Sequence, residues 1–267
     1  MAAEPPVGHP EAIVRPDLAG QRFTVERLAP RASLAEFVDY YWLVRWNVPE
    51  PYRQQVVPQP RVHLAAEGGR LLVHGVTQRP FYRTLEGSGH VLGAAFHPGG
   101  FRPLLRRSVG AISESVQPSA RLLGVDDLPV AARILGGHDS AEMVGALKEY
   151  LTAVGPESDP TGRQVTELVA EAERRTEITR AEKLAAEAGM SLRSLQRLFL
   201  EYVGIGPKWV IQRFRILDAI AAAHAGEVRD WAALARELGF SDQAHLTRVF
   251  TQVVGTPPAS YWRASGG

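Results

Sequence analysis

A segment near the C-terminus occurs twice, and this repeat restricts the fold more than any other feature of the sequence. Residues 184–207 read LAAEAGMSLRSLQRLFLEYVGIGP, and residues 234–258 read LARELGFSDQAHLTRVFTQVVGTPP. Matching positions lie 50 residues apart in the first half of each copy and 51 apart in the second half. Each copy predicts a short helix, a turn that contains glycine and a second helix, which is the layout of a helix-turn-helix unit.

Both copies carry a glycine at the predicted turn and a serine two residues later. Gly189 and Gly239 suit a tight turn, because glycine adopts backbone conformations that are strained for other residues. Ser191 and Ser241 stand where the second helix begins, and we expect their hydroxyl groups to cap its first backbone N–H groups. The apolar residues of the two second helices recur at the spacing of one helix face, so we expect them in the core. They are Leu195, Leu198 and Phe199 in the first copy and Leu246, Val249 and Phe250 in the second.

The residues beside this apolar face are candidates for contact with DNA. Arginine can pair with guanine, and glutamine with adenine, through two hydrogen bonds. Arginine also occurs at the same position in both copies, as Arg197 and Arg248. Such a face can equally be an ordinary solvated surface, but the second aligned copy favours recognition of DNA. The candidates are Leu192, Arg193, Gln196 and Arg197 in the first helix, and Asp242, Gln243, His245, Thr247 and Arg248 in the second.

Composition excludes several classes of protein but adds no support for nucleic-acid binding. The chain has no cysteine, which excludes disulfides, thiolate metal sites and a cysteine nucleophile. We recognise no signal peptide and no apolar stretch of transmembrane length, so we expect a cytoplasmic protein that does not enter a membrane. The net charge is only +1, whereas DNA-binding domains usually carry a basic excess. What matters is therefore where the charges lie: Arg193, Arg197 and Arg248 fall on the second helices of the units, and Lys208, Arg213 and Arg215 follow the first unit.

The chain divides by composition into four segments. Residues 1–20 include several prolines and predict a flexible arm. Residues 21–123 contain short β-branched and aromatic runs between Gly- and Pro-containing turns, which predict a β-rich sensor or regulatory domain. Residues 124–160 predict a helical connector and a linker, and residues 161–267 are helical in pattern throughout. Strand-rich sequence that precedes helix-rich sequence predicts an α+β protein.

Local features of the β-rich segment leave alternatives open. The run SLAEFVDYYW could begin as a helix capped by Ser33 instead of a strand. The segment after His97-Pro98-Gly99-Gly100 predicts a short helix. The two glycines could cradle an anion at the start of that helix, although a plain turn is the simpler explanation.

The histidines and aromatic residues of this segment could form a metal site or a ligand pocket, or they could have only a structural role. Four histidines could furnish a metal site, but they lack the spacing of a metal-binding motif, and we expect packed or hydrogen-bonded side chains and no bound metal. The aromatic residues could line a ligand pocket, while their alternation with valine favours a place in the core. The histidines are His63, His74, His90 and His97, and the aromatic residues are Tyr40, Tyr41, Trp42 and Trp46.

The C-terminal segment resembles the DNA-binding domain of the AraC/XylS transcription regulators from about Thr161 to Arg263. GFSDQAHLTRVFTQVVGTPPASYWR looks like the C-terminal motif of that family nearly residue for residue, and GMSLRSLQRLFLEYVGIGPKWVIQRFR is similar to its first unit. The resemblance implies an all-α domain of about seven helices with two helix-turn-helix units. A long helix, here about Pro207 to His224, would link the units, which would enter adjacent major-groove segments on one face of double-stranded DNA. The base contacts that it implies are Arg193, Gln196, Arg197, Gln243, His245, Thr247 and Arg248.

Residues 28–123 also resemble an N-terminal domain that occurs in some AraC regulators of actinobacterial type. The similar pieces are YYWLVRW, VVPQPRVHL and GAAFHPGGFRPLL. This resemblance implies effector sensing or contact with another protein, and it carries no ligand identity.

We therefore expect a sequence-specific transcription regulator rather than an enzyme, with no catalytic residues and no cofactor. The family resemblance implies activation through RNA polymerase, modulation by a small-molecule effector or a protein partner, and a homodimer as one candidate assembly. One alternative is a metal-dependent enzyme or a repair-type fusion that this domain delivers to DNA, but the alkyl-transfer repair proteins with a similar domain need a cysteine that this chain lacks. Another alternative is a protein-interaction module, which the salt dependence of duplex binding would distinguish.

Overall fold

The computed structural model describes residues 22–30, 32–226, 228 and 230–264. An antiparallel sheet comes first along the chain and helices follow it, which confirms the predicted α+β class. The arm predicted for residues 1–20 lies outside the described residues. The strands are β1 (Phe23–Leu28), β2 (Val38–Val56), β3 (His63–Glu67), β4 (Arg70–His74), β5 (Phe81–Phe96) and β6 (Val116–Pro118), in the order β1-β2-β5-β3-β4-β6 across the sheet.

The helices begin after the long strand β5. Their bounds are α1 (Arg102–Leu105), α2 (Ser119–Leu123), α3 (Leu128–Leu135), α4 (Ser140–Val154), α5 (Pro160–Arg174), α6 (Ala181–Glu187), α7 (Leu192–Tyr202), α8 (Pro207–His224), α9 (Trp231–Glu237), α10 (Gln243–Val254) and α11 (Pro258–Ala264), with a 3-10 turn at Val109–Ile112. The expected short helix after Gly100 is present as α1, whereas the alternative helix start at Ser33 is wrong, because turns precede β2 there. The seven helices from α5 onward agree with the expected helical domain, and α8 is the expected long connecting helix. No described helix combines the length and the apolarity needed to span a bilayer.

The ribbon formed by β2 and β5 bends back over the sheet. β2 has 19 residues, and a straight strand of that length would extend about 60 Å. Residues 57–62 connect the end of β2 to β3, which begins beside the start of β2. Six residues span only about 20 Å, so the end of β2 must come back close to its start. The pairing is interrupted after Val48, which lies opposite Gly87, and resumes at Tyr52 opposite Leu85. Two of the three intervening residues of β2 are prolines, which suit a bulge because they donate no ladder hydrogen bond.

The two faces of the sheet have different surroundings. Tyr41, Leu43 and Leu92 lie on the face that packs against α3 and α4, and their side chains are almost completely buried. Side chains at alternate positions point to the opposite face. The bent ribbon covers that face only in part, so a cavity remains on its concave side.

The helical half packs against the sheet through one continuous hydrophobic core that includes residues from β2 to α11. At one contact the two backbones approach each other directly: a Cβ atom at Gly99 would overlap the carbonyl oxygen of Gly162 in α5. The amide of Gly99 also donates a hydrogen bond of 3.3 Å to Thr166 Oγ1. A Cβ atom at Gly100 would likewise overlap the carbonyl of Phe37. The two glycines therefore allow a close contact between neighbouring segments, and no anion is needed to explain them.

Replacing Gly99 by alanine should separate the sheet from α5. We expect Gly99→Ala to lower the free energy of unfolding by about 1–3 kcal/mol, the usual cost of overpacking, as measured by chemical denaturation. Gly145→Ala is the matched control, since Gly145 lies within α4 with no atom near the added methyl group. It should raise stability by about 0.5–1 kcal/mol, because alanine is the better helix former. Equal effects of the two substitutions would contradict the backbone contact.

Candidate DNA-binding interface

The first unit consists of α6, a turn and α7. Gly189 has a φ of +65°, the left-handed conformation that favours glycine, so the predicted turn is confirmed. The amide of Met190 closes the end of α6 with a hydrogen bond of 3.0 Å to the Ala185 carbonyl. Ser191 Oγ accepts a hydrogen bond of 3.1 Å from the amide of Ser194. The predicted cap at Ser191 is therefore confirmed.

The second unit, α9 and α10, repeats this arrangement with one difference at the cap. Gly239 has a φ of +77°, as predicted. The predicted cap at Ser241 is wrong, because Asp242 Oδ1 accepts the hydrogen bond from the amide of His245, at 2.7 Å. That hydrogen bond is the main reason why the pKa of Asp242 is lowered. The carboxylate, one position later than the serine, takes over the role that we assigned to the hydroxyl.

The expected apolar face of each second helix is buried. Leu195 and Phe199 in α7, and Leu246 and Phe250 in α10, are completely excluded from solvent. The remaining two residues of the stripe, Leu198 and Val249, are partly buried against the same core. Both units therefore rest on the core with the opposite side of the helix outward.

The predicted base-contacting residues lie outside this core. Arg193, Gln196, Arg197, Gln243 and Arg248 are exposed, and His245 and Thr247 are half-buried. Their contact with bases remains a prediction.

Three of the residues that we considered as candidates for DNA contact also have contacts within the protein. Leu192 packs against the core and Asp242 is the helix cap. The imidazole of His245 lies edge-on to Phe240, with ring centres 5.3 Å apart, and its Nδ1 is 3.1 Å from Ser241 Oγ. These contacts fix the orientation of His245 in the absence of DNA.

Two of the three cations that follow the first unit are buried. Arg213 is 2% exposed and Arg215 is 1% exposed, while Lys208 is exposed. Arg215 donates to the Ala172 carbonyl at 2.6 Å, at the C-terminal end of α5, and lies 3.2 Å from Asp218. A basic surface formed by the second helices therefore does not extend to Arg213 and Arg215.

Arg213 is buried beside the β-rich half, against an aromatic ring and a backbone carbonyl. Its guanidinium lies over the ring of Trp209, 4.6 Å from the ring centre. One of its terminal nitrogens donates to the Gln78 carbonyl at 3.3 Å. Burial lowers the pKa of Arg213 to about 10, which leaves it charged at neutral pH.

The concave face of the sheet encloses a cavity of about 380 Å³. Tyr40 and Trp42 line it, and the ring of Trp42 lies flat on Gly93 of the neighbouring strand. Tyr41 points to the core, and the indole N–H of Trp46 donates to the Glu86 carbonyl at 3.1 Å. The favoured core interpretation is therefore wrong for Trp42, and the alternative of a pocket position is wrong for Tyr41.

Each of the four histidines has a local environment that explains it. Burial is the largest cause that lowers the pKa of His63, to about 3, so its imidazole is neutral. His74 Nε2 lies 2.5 Å from Glu67 Oε1, and His90 Nε2 lies 2.9 Å from the carbonyl of Ile134. Burial also lowers the pKa of His97, although nearby Asp39 opposes the shift. Within the described ranges, no group of three or more His, Cys, Asp or Glu side chains is arranged to hold a metal ion.

The first unit contacts the β-rich half through a surface that sequence reasoning did not identify. Arg102 Nε lies 2.6 Å from Glu201 Oε1 at the end of α7, and Ser113 Oγ donates to the Gly204 carbonyl at 2.6 Å. A Cβ atom at Gly204 would come within 2.7 Å of that hydroxyl oxygen. The glycine-rich exit VGIGP was the only sequence signal for this close approach.

The second unit contacts the bent ribbon. Gln55 in β2 donates from Nε2 to the carbonyl of Val254, at 3.0 Å, and to that of Val253, at 3.4 Å. These carbonyls end α10, where backbone acceptors lack partners within the helix. Both units are therefore attached to the β-rich half at the C-terminal ends of their second helices.

Comparison with known proteins separates the chain into two regions. Residues 26–118 match the model of a family described as a domain of unknown function (DUF6597), and residues 184–264 match that of a family described as a helix-turn-helix domain. The second match confirms the double helix-turn-helix domain that the repeat predicted.

The solved structures that match this chain include two of ToxT from Vibrio cholerae. One has 13% sequence identity and a TM-score of 0.37, covering 92% of this chain and 100% of that chain. The other, ToxT of strain SCE256 with an unsaturated fatty acid bound, has 14% identity, a TM-score of 0.36 and coverages of 90% and 95%. The C-terminal domain of AraT, a response regulator from Geobacillus stearothermophilus, has 18% identity and a TM-score of 0.35, covering 40% of this chain and 86% of that chain. At these values we transfer neither ligand nor partner to this chain.

The two turn glycines differ in their surroundings, and their substitutions should differ in effect. Gly189→Ala forces alanine into the left-handed conformation and should cost about 1–2 kcal/mol of stability, since open space surrounds the position. Gly239→Ala should cost about 1–3 kcal/mol more, because its methyl group would also overlap Thr179. Chemical denaturation of both variants measures the difference. A smaller loss at Gly239 than at Gly189 would show that the second unit does not pack on Thr179 in solution.

Proposed function

We propose that this chain, a DNA-binding transcription regulator with an AraC-type helix-turn-helix domain at residues 184–264, reads two adjacent major-groove segments with α7 and α10. The repeated geometry carries the proposal: each unit has the same left-handed glycine, the same buried stripe and an exposed arginine at the same position. An α-helix fits the major groove, and its polar side chains can reach the base edges there. Two copies in one rigid domain support a bipartite site on a single face of the duplex.

The proposed base contacts are Arg193, Gln196 and Arg197 in α7 and Gln243, His245, Thr247 and Arg248 in α10. Selection of bound duplexes from a randomised pool by the purified full chain would define the site. Enrichment of a bipartite motif is expected, with a steep fall in affinity as salt increases, since phosphate contacts release counterions. A folded protein that enriches no sequence would overturn the proposal.

Removing either arginine should relax specificity at single base pairs rather than weaken all binding equally. We expect Arg197→Ala and Arg248→Ala each to cost about 1–3 kcal/mol of discrimination at one position, in different halves of the selected motif. Affinities for a set of singly substituted duplexes measure this. Arg121→Ala, which removes the same charge from exposed α2, should leave the preferences unchanged. Uniform loss across all duplexes would instead assign these arginines to the phosphate backbone.

We further propose that the β-rich half modulates DNA binding when the cavity is occupied by a small effector. Strand alternation supports this, because Gln54 and Val56 line the cavity while Gln55, between them, contacts the end of α10. The loop before β5 is arranged similarly, since Thr77 lines the cavity and the Gln78 carbonyl accepts from Arg213 on α8. The segments that would touch an effector thus also hold the second unit and the connecting helix.

Loss of the Gln55 amide should loosen the second unit alone. We expect amide hydrogen exchange in α10 to become about threefold to tenfold faster in Gln55→Ala, the equivalent of one or two net hydrogen bonds, with α7 unchanged. Gln117→Ala is the control, because Gln117 contacts Ser115 within the β-rich half. Unchanged exchange in α10 would mean that this contact does not hold the unit.

The family resemblance supports activation over repression, through contact with RNA polymerase. No feature in the described parts of the chain favours the alternative of a metal-dependent enzyme or a repair-type fusion.

A further inference from the structure

The cavity on the concave face of the sheet has apolar walls and an apolar mouth. Phe23, Trp42 and Leu85 are among its lining residues. Three further lining residues are large apolar side chains with high exposure: Val25 at 40%, Phe81 at 36% and Val116 at 54%. Apolar side chains that are exposed together on a concave surface indicate a binding site, whereas scattered ones do not. A volume of about 380 Å³ falls within the range of small-molecule sites.

The buried charged groups at the cavity are matched with one another. Arg61, a lining residue that is 8% exposed, pairs with Asp39 behind it. Glu67 pairs with Arg83 from the bent ribbon and contacts His74 from β4. Burial alone would raise the pKa of Glu67, but the contacts with His74 and Arg83 lower it, so the carboxylate is charged and the pairing is ionic.

The charges nearer the mouth also have contacts. Glu114 accepts from the hydroxyl of Thr77 at 2.9 Å and from the amide of Gln78 at 2.6 Å. The guanidinium of Arg27 lies over the ring of Tyr40, 5.2 Å from its centre. Three arginines line the cavity, and the carboxylates of Glu67, Glu114 and Asp39, the partner of Arg61, equal them in number. The formal charges of these arginines and carboxylates therefore cancel. An ion that entered the buried part of the cavity would have to break the Arg61–Asp39 or the Glu67–Arg83 pair or remain unmatched, and a buried unmatched charge costs several kcal/mol.

We propose that the cavity takes an uncharged, largely apolar compound that contains aromatic or fused rings. The faces of Tyr40, Trp42 and Phe81 supply flat walls against which such rings pack. The balanced charges exclude strong attraction for either a carboxylate or an ammonium group. The inference rests on the proposed function only in identifying this compound as the effector.

Two fluorescent probes with the same ring system test the charge preference. N-phenyl-1-naphthylamine is uncharged, and 8-anilinonaphthalene-1-sulfonate differs from it by one sulfonate. Equilibrium titration of the full chain with each probe, in the absence of DNA, should give a dissociation constant at least about tenfold lower for the uncharged probe. Tighter binding of the sulfonate, or binding of neither probe, would overturn the proposal.

Releasing a buried cation should change this preference. Asp39→Asn removes the partner of Arg61, and we expect the ratio of affinities to shift about tenfold toward the sulfonate, the contribution of one charged hydrogen bond. Glu67→Gln, which releases Arg83, is the second variant if Asp39→Asn does not fold. A folded variant with an unchanged ratio would contradict the assignment of the pairs as the cause of selectivity.

Substitution at the mouth locates the probe. Val116→Asp places a carboxylate at the rim and should weaken binding of the uncharged probe about tenfold. Leu128→Asp is the matched control, because Leu128 is 51% exposed and does not line the cavity. Equal losses would show that the probe binds elsewhere and would overturn the assignment.

The test separates this inference from the proposed function. A preference for the uncharged probe with no change in DNA affinity upholds the ligand class and rejects modulation through the cavity. Loss of the preference in a protein that still selects a bipartite DNA site rejects the ligand class alone.

Discussion

The contact between the backbones at Gly99 and Gly162 sets the distance between the sheet and the helical half. No side chain separates the two segments, so α5 begins at a fixed position on the sheet. Glu36 reinforces the junction, because its carboxylate lies 2.7 Å from Arg163 and accepts from the Asp159 amide at 2.9 Å. α5 in turn packs against α7 and α8. The position of α7 and α10 relative to the sheet therefore depends on an approach that only glycine permits.

The connecting helix α8 has two structural roles, and charged residues that are used in one of them are not available for the other. It separates the two units, and it is buried between them and the β-rich half. Arg213 and Arg215 serve the packing, so the cations that remain exposed near DNA are few, with Arg193, Arg197 and Arg248 among them. Non-specific affinity grows with the number of phosphates neutralised. With Arg213 and Arg215 buried and a net charge of +1, we expect the non-specific affinity of this chain for DNA to be lower than that of a strongly basic domain.

The helical half was largely predictable from the sequence, because its signals are local and occur twice. The repeat located the units, turns and core stripe, and only the cap at Ser241 was placed one residue too early. Burial of Arg213 and Arg215 was not predicted, because it depends on the packing of α8 against the Gln78 and Ala172 carbonyls, which lie far away in the sequence. The cavity could not be predicted from the sequence. It arises because a short connection forces a long ribbon to bend, and which alternate residues then face inward depends on pairing between distant segments. Trp42 looked like a core residue because alternation does not distinguish a covered face from an open one.

The ribbon formed by β2 and β5 lines the cavity and also contacts the second helix-turn-helix unit. An effector changes DNA affinity only if it binds with different free energy when the second unit is held and when it is released. A cavity with walls independent of the helical half would provide no such difference. Here Gln55 and Gln78 belong to the wall segments and also hold α10 and α8, so any displacement of the wall alters contacts with the DNA-binding half. If an effector displaces the wall as proposed, moving the Gln78 carbonyl would remove a hydrogen bond from the buried guanidinium of Arg213, and such a loss exceeds that of a neutral hydrogen bond.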